Sequence, residues 1–284
     1  LSGVVNGDSV SHASVVINTA GLLSGAAYLK VGSHLGIQSV SSTLSGTGAS
    51  NYTFAGTTGD YTVTPKTLTG TIGSGSSVYG TSLVAGSVSI SGVLAGDTVA
   101  YTTSVSINTT GNTSTSGNLK AGSYTGIQTS AGGLTGTDAA NYTYSGATGN
   151  YTVSKATLGG SITSGTSVYG AALAPGTATI TTGIVSTDMV TAGTVSVTTS
   201  GNTSTSGNLK AGTYTNKQTL TLNGADAGNY SFGGTVGDYT VTTLSLAGVL
   251  GAGSSTYGAS LVPGAVTFSN KVAGDVVNSA AVAL

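Results

Sequence analysis

The groups on this chain that could carry chemistry are few: eight aspartates, seven lysines, two histidines and a large stock of Ser, Thr and Tyr hydroxyls, with no Glu, Arg, Cys or Trp. Asp8, Asp97 and Asp275 each follow a glycine at corresponding positions, and Asp138 and Asp226 each stand just ahead of an Asn-Tyr pair. Carboxylates in such places have two uses. An Asp in a turn accepts hydrogen bonds from its own backbone, whereas clustered carboxylate and carbonyl oxygens hold a hard cation such as calcium. Asp97, Asp138 and Asp226 are the calcium candidates, although no D-x-D-x-D run or nonapeptide pattern supports them. No other cofactor is expected. Catalytic chemistry is poorly served. His12 and His34 have no counterparts further along the chain, and no G-x-S-x-G elbow stands with a His partner. Nor is any Cys, Glu or Arg present for acid–base, nucleophilic or zinc chemistry. The chain is therefore not expected to be an enzyme.

Other recurring side chains have milder readings. Asn51, Asn108, Asn112, Asn141, Asn202 and Asn229 each head an Asn-x-Ser/Thr triplet, a pattern that arises by chance in a chain so rich in these residues. Asn112 and Asn202 lie in the most polar stretch and are the candidates for glycosylation. Lys30, Lys120 and Lys210 recur in "LKVG" or "LKAG", where the stem lies along a sheet and the ammonium stays in water. Tyr52, Tyr142 and Tyr230 follow the paired Asn, and are expected to bury a ring while the hydroxyl caps a loop. Tyr124 and Tyr214, with His34 in their place near the start, could form a sugar-stacking surface.

What positions these groups is a repeat. "GNTSTSGNLKAG" fills residues 111–122 and returns unchanged at 201–212. Tyr79, Tyr169 and Tyr257 sit in "SVYGTSL", "SVYGAAL" and "STYGASL", separated by 90 and 88 residues. The Asn-Tyr pairs keep the same two intervals, and "GDYTV" at 59 recurs as "GNYTV" at 149 and "GDYTV" at 237. This divides the chain into the later part of a repeat at 1–66, complete repeats at 67–155 and 156–243, and the earlier part of another at 244–284. The shortening falls between residues 218 and 224, in a turn-like stretch where length changes are tolerated. The joins at 62–72 and 152–162 contain no Gly/Ser linker, which implies neighbouring repeats coupled stiffly end to end. Neighbouring repeats are thus the first partners to expect. The duplicated stretch itself reads as a solvated loop and strand start, polar because it meets water.

Only 5% of residues are charged, against about 25% in an average soluble domain. A net charge of −1 and the absence of Arg exclude the long-range field and phosphate contacts that nucleic-acid binding uses. No apolar run approaches the ~18 residues of a membrane span. Apolar residues alternate with Thr and Ser, as at Val88 and Ile90 and at Val99, Tyr101, Val105 and Ile107, which is the period of half-buried strands. Turn signals such as "GTDAAN" and "SGATGN" punctuate the runs. About six or seven short strands per ~90 residues suit tandem β-sandwich modules of immunoglobulin-like or Greek-key type in an all-β fold. The alternative is a β-solenoid, whose rungs would repeat every ~20–30 residues; no such shorter period is found.

The order "VYG", "AGD", "LKAG", then "LTGTDAANYTY" or "LNGADAGNYSF" and a closing "GDYTV" resembles the Gly-rich MBG and YDG repeat domains of large bacterial surface and secreted proteins, filamentous haemagglutinin-like adhesins among them. The resemblance covers the whole chain. It departs where the family's Tyr-Asp-Gly stands here as Tyr-Gly, and in the first repeat, which reads "TAGLLSGAAYLKVGSHLG". It implies an extracellular or cell-surface stalk or adhesive module with no catalytic residues. A different class of function, assembly of copies into an extracellular filament, sheath or biofilm-matrix fibre, follows if sheet edges guarded by so few charges pair between chains. A third is a carbohydrate-binding array for surface glycans.

Overall fold

Alternating apolar and hydroxyl side chains give a ribbon with one face for a core and one for water, and the strands lie that way. In Ala147–Ser154, Gly149, Tyr151 and Val153 are buried and the residues between them exposed. The computed structural model describes residues 1–101 and 104–278. Thr102 and Thr103 of the expected strand, and the last six residues of the final repeat piece, lie outside the described residues. No α-helix occurs among the described residues. Three single turns of 3-10 helix, Ala49–Asn51, Ala139–Asn141 and Ala227–Asn229, each precede one of the Asn-paired tyrosines. The fold is all-β, and among the described residues its sheets neither close into a barrel nor stack as the rungs of a coil. Among those residues no helix is long and apolar enough to cross a membrane.

Two compact units divide the chain. Residues 1–77, 82–109 and 123–152 make the first. In it Val16–Ile17, Gly32–Val40 and Thr57–Val63 pair antiparallel in that order. A four-stranded sheet, almost all of it in this unit, runs in the order Val105–Ile107, Gly122–Ser130, Ala147–Ser154, Gly75–Val78. Leu68, Tyr142 and Tyr144 centre the core, with Ile90, Leu94, Val99 and Tyr101 against them. Tyr101 meets Tyr144 edge to face at 5.7 Å, the arrangement ring quadrupoles favour.

Residues 78–81, 110–122 and 153–284 make the second unit. The duplicated stretch 111–122 thus belongs to the unit that holds the following repeat, although by sequence it is part of 67–155. Ala156–Ile162 runs parallel beside Tyr230–Phe232, and Gly165–Val168 parallel beside Tyr239–Thr242. Parallel neighbours need a long connection; here most of the repeat supplies it, so its first and last strands lie side by side. Leu158 and Tyr239 are completely buried in this unit.

Each complete repeat closes over its late tyrosine with a segment from its own early half. Tyr151 accepts the Val84 amide at 2.9 Å and Tyr239 the Ala174 amide at 3.0 Å. They are 1% and 0% exposed, while Tyr61, in the piece 1–66, is 39% exposed. Beside each closure sits a buried glutamine. Gln128 accepts the Gly86 amide at 2.7 Å and donates to the carbonyls of Gly73 at 3.1 Å and Asn150 at 2.6 Å. Gln218 repeats this with Gly176 at 2.7 Å, Thr163 at 2.9 Å and Gly237 at 2.8 Å. A buried amide so satisfied fixes three backbone segments at once. The chain's three glutamines, Gln38, Gln128 and Gln218, stand 90 residues apart. That spacing was the available signal for this pin, which residue-type reasoning passes over.

Candidate functional site

The duplicated stretch folds as a tight hairpin. Thr113 bridges Leu119, Ser114 N donates to the Asn118 carbonyl at 2.9 Å, and Lys120 N donates to the Asn112 carbonyl at 2.9 Å. Its tip needs a left-handed residue, supplied by Gly117 at φ +80°. Residues 201–212 do the same with Thr203, Leu209 and Gly207 at φ +81°, and residues 21–30 with Leu23, Leu29 and Ala27 at φ +62°. Leu119 and Leu209 are the buried anchors, each 3% exposed.

The expectation of a loop made polar by contact with water holds for one face, where Gly111, Thr113, Thr115, Gly117 and Lys120 are exposed, and is corrected for the other. The hairpin presents its amides and hydroxyls to acceptors of the next repeat. Thr115 N donates to Asp226 Oδ1 at 3.1 Å, Ser116 N to Asp188 Oδ1 at 3.1 Å and Ala121 N to Asn229 Oδ1 at 2.9 Å. Tyr79 adds its hydroxyl to Ser114 Oγ at 2.6 Å and to Asp188 Oδ2. Tyr230 also donates to Asp188 Oδ2 and lies edge to face with Tyr79 at 5.3 Å. Small polar residues suit this position because bulkier ones would hold the amides away from the carboxylates.

The first unit contains the same joint. Gly25 N donates to Asp138 Oδ1 at 3.2 Å, Ala26 N to Asp97 Oδ1 at 2.6 Å and Val31 N to Asn141 Oδ1 at 2.9 Å. Tyr142 donates to Asp97 Oδ2 at 2.6 Å and accepts the Leu94 amide at 3.0 Å. In the second unit a further joint begins: Ser206 N donates to Asp275 Oδ1 at 3.2 Å, and the Tyr169 hydroxyl donates to Asp275 Oδ2 and lies 2.6 Å from Ser204 Oγ.

These bonds tune the charges. Burial works against ionisation of Asp188, but donation by Ser116, Tyr230 and Tyr79 outweighs it and holds the carboxyl below the ordinary range. Asp97 is lowered chiefly by Tyr142, Asp226 by Thr115 and Asp275 by Tyr169. Burial, then the facing carboxylate, pushes the hydroxyls of Tyr79, Tyr142 and Tyr230 up. A lowered carboxyl contributes stability above its unfolded value, about 3.9, and loses it as pH falls through the folded value; a raised phenol contributes below about 10 and loses it as pH rises. The urea midpoint should therefore be flat from about pH 5 to 9 and fall on both sides. A midpoint that changes steadily across that window would show that other groups govern stability.

The sequence candidates fall as follows. Asp97, Asp138 and Asp226 do not bond their own turns alone; Asp97 and Asp226 each face donors from a neighbouring repeat, and Asp138 takes both Gly25 N and Thr98 N, the latter at 2.9 Å. A cation at those oxygens would have to replace N–H and O–H donors, and no group of three or more metal-ligating side chains occurs among the described residues. Asn112 and Asn202 are half-buried, each amide nitrogen donating to the carbonyl two residues back, at 3.4 and 3.3 Å. Lys30, Lys120 and Lys210 are exposed. Tyr214 packs beside Leu209, Tyr239 and Val241 and donates to the Lys210 carbonyl at 2.7 Å. His34 meets the Lys30 carbonyl through Nε2 at 2.8 Å and so stands in for it. Asp188 was missed because it follows Thr in "STDMV" where its counterparts follow Gly.

Compared with known protein families, curated proteins and solved structures, the chain matches none.

Proposed function

We propose that the chain is a structural, adhesive repeat segment, the stalk of a long bacterial cell-surface or secreted adhesin built from tandem β-sandwich modules. The observation that carries this reading is the recurrence of one joint. At successive repeat boundaries the same positions meet: amides of a polar hairpin, an Asp–Tyr pair and an Asn. The bonds are short and made by small groups near the backbone, so bending at a joint costs several of them at once, whereas a Gly/Ser linker would cost none. The polar groups of the joints are consumed in holding one repeat to the next, as load-bearing parts require.

Single molecules stretched between their ends by force spectroscopy are expected to unfold in discrete steps of similar contour length. Asp188→Asn should lower the force of the steps that break the second unit. Featureless extension at low force would overturn the stalk reading.

A second reading, assembly of copies into an extracellular filament, is favoured by edge strands inside the complete repeats: Gly75–Val78 and Gly165–Val168 each lie at the edge of a sheet, and their Val78 and Val168 are 47% and 45% exposed.

A further inference from the structure

The strand Gly165–Val168 pairs with Tyr239–Thr242 on one side, and among the described residues no strand lies along its other edge. Gly165 N and Tyr169 N donate inward, to the Asp238 carbonyl at 3.1 Å and the Thr242 carbonyl at 2.9 Å. Backbone groups alternate in direction along a strand, so the amides and carbonyls of Thr166 and Val168 point outward. Neither amide meets an acceptor among the described residues. The Val168 carbonyl takes the Ala171 amide at 3.0 Å in the following turn and keeps its second lone pair. Thr166 is exposed beside the 45% exposed Val168, whereas Gly165 is buried and Ser167 takes the Tyr239 hydroxyl at 2.8 Å. Gly75–Val78 ends its own sheet in the same way. Ser76 there is exposed like Thr166, and Tyr79 N donates to the Ser154 carbonyl at 2.9 Å as Tyr169 N does to Thr242.

An open edge is ordinarily guarded by a charge, a proline or a bulge that keeps a second chain from pairing with it. None stands in either strand. Residues 67–96 and 156–187, which contain the two strands, hold no charged residue at all; each stretch begins just after a lysine, Lys66 or Lys155, and ends just before an aspartate, Asp97 or Asp188. The opposite edge of the second sheet, Gly212–Tyr214, is treated differently, with Lys210 before it and Lys217 after it. An edge without charge offers little to a charged partner, and a net charge of −1 gives copies of the chain no field with which to repel one another. What the edge does offer is amides and carbonyls at alternate residues. The same strand run in the other direction presents the complementary set.

We propose that copies of the chain pair through this edge, Gly165–Val168 of one copy lying antiparallel to the same strand, or to its counterpart Gly75–Val78, of another. Centred on Ser167, Thr166 of each copy exchanges its amide and carbonyl bonds with Val168 of the other. On the outer face Val168 then stands beside Thr166 of the other copy, a β-branched pair of the kind sheets favour. The contact is isologous, because the same strand serves both sides. The strip is short, so one contact is weak. It recurs in each complete repeat, so a chain that pairs through one strip still has another with which to join a further copy, and pairs can extend into a fibre. The proposal names the contact behind the filament reading and rests on that reading; the stalk reading is independent of it.

Sedimentation of the full chain from micromolar to submillimolar concentration, with amide hydrogen exchange at both ends of that range, tests this. The wild type is expected to form concentration-dependent species larger than a dimer, and the Thr166 and Val168 amides to exchange freely when dilute and slowly when concentrated. Ser76→Pro/Thr166→Pro should weaken association about thirtyfold or more, since each contact loses the amide bonds of both copies. Its melting curve should stay that of the wild type, because proline is tolerated where an edge amide faces outward. Val78→Lys/Val168→Lys supplies the missing guard and should weaken association likewise, which keeps the test decisive if the proline variant folds poorly. Thr166→Val retains the amide and should assemble at least as well as the wild type. A wild type monomeric throughout would overturn the pairing and the filament reading together. Fibres that form with both amides unprotected, or that neither double variant weakens, would overturn the pairing alone. Assembly that stops at dimers with both amides protected would support the pairing and sink the filament reading.

Discussion

Asp188→Ala is expected to lower the unfolding free energy of the second unit by about 3–4 kcal/mol. The carboxylate is 9% exposed and accepts from Tyr79, Tyr230 and the Ser116 amide. A hydrogen bond to a charged acceptor contributes about 1.5–3 kcal/mol, and a buried donor left unpaired costs a similar amount. The total is discounted because Tyr79 keeps Ser114 and water reaches part of the site. Asp188→Asn keeps the volume and one carbonyl acceptor, so it should cost about half as much, and it should also soften the acid limb of the pH profile. Asp97→Ala removes the corresponding but half-buried carboxylate and should cost less than Asp188→Ala. Urea titration of the three variants decides the point. A loss below about 1 kcal/mol for Asp188→Ala would class the joint with ordinary surface contacts.

Gly176→Ala should be at least as damaging. A Cβ at residue 176 would lie 1.8 Å from the Thr163 carbonyl oxygen and 2.6 Å from its carbon. Neither atom can retreat freely: Gln218 fixes both, accepting Gly176 N at 2.7 Å and donating to the Thr163 carbonyl at 2.9 Å. Overpacking a rigid site costs about 1–3 kcal/mol, and the upper end or beyond applies when the obstacle is backbone. Gly86→Ala meets the Gly73 carbonyl at the same 1.8 Å and should destabilise the first unit likewise. Gly228→Ala is the control, since nothing lies within 4 Å of its added Cβ. Gln218→Leu fills the same space while leaving Gly176 N and the Thr163 and Gly237 carbonyls without their partner, and should cost about 3 kcal/mol or more. Thermal melts in which Gly176→Ala and Gly228→Ala coincide would refute the argument that this contact sets the fold.

Asp188 and Gly176 also show where sequence reading stops. Gly176 stands among many glycines, and nothing in "APGTA" distinguishes one required by a carbonyl at its Cα from one required by a turn. Asp188 follows Thr and precedes Met, whereas its repeat counterparts Asp8, Asp97 and Asp275 all follow Gly. Both are recovered only by aligning the repeats on each other, and their partners only by folding them.

By itself the sequence determined the all-β class, the period of 90, the strand faces and two of the tyrosines that enter the cores, Tyr142 and Tyr230, while Tyr52 is only half-buried and Tyr79, Tyr144, Tyr151 and Tyr239 were not singled out as core residues. Those follow from short-range patterning: alternation along an extended chain selects a face, and duplication shows directly as repeated letters. Tertiary structure alone decided that the duplicated polar stretch, exposed along one face, docks as a hairpin through its other, and that its partners are Asp188, Asp226 and Asn229, 72 to 111 residues away along the chain. A hydrogen bond costs the sequence only a polar letter, which looks the same whether it faces solvent or an acceptor. What it bonds is fixed when packing brings distant segments within 3 Å, a distance no local pattern records.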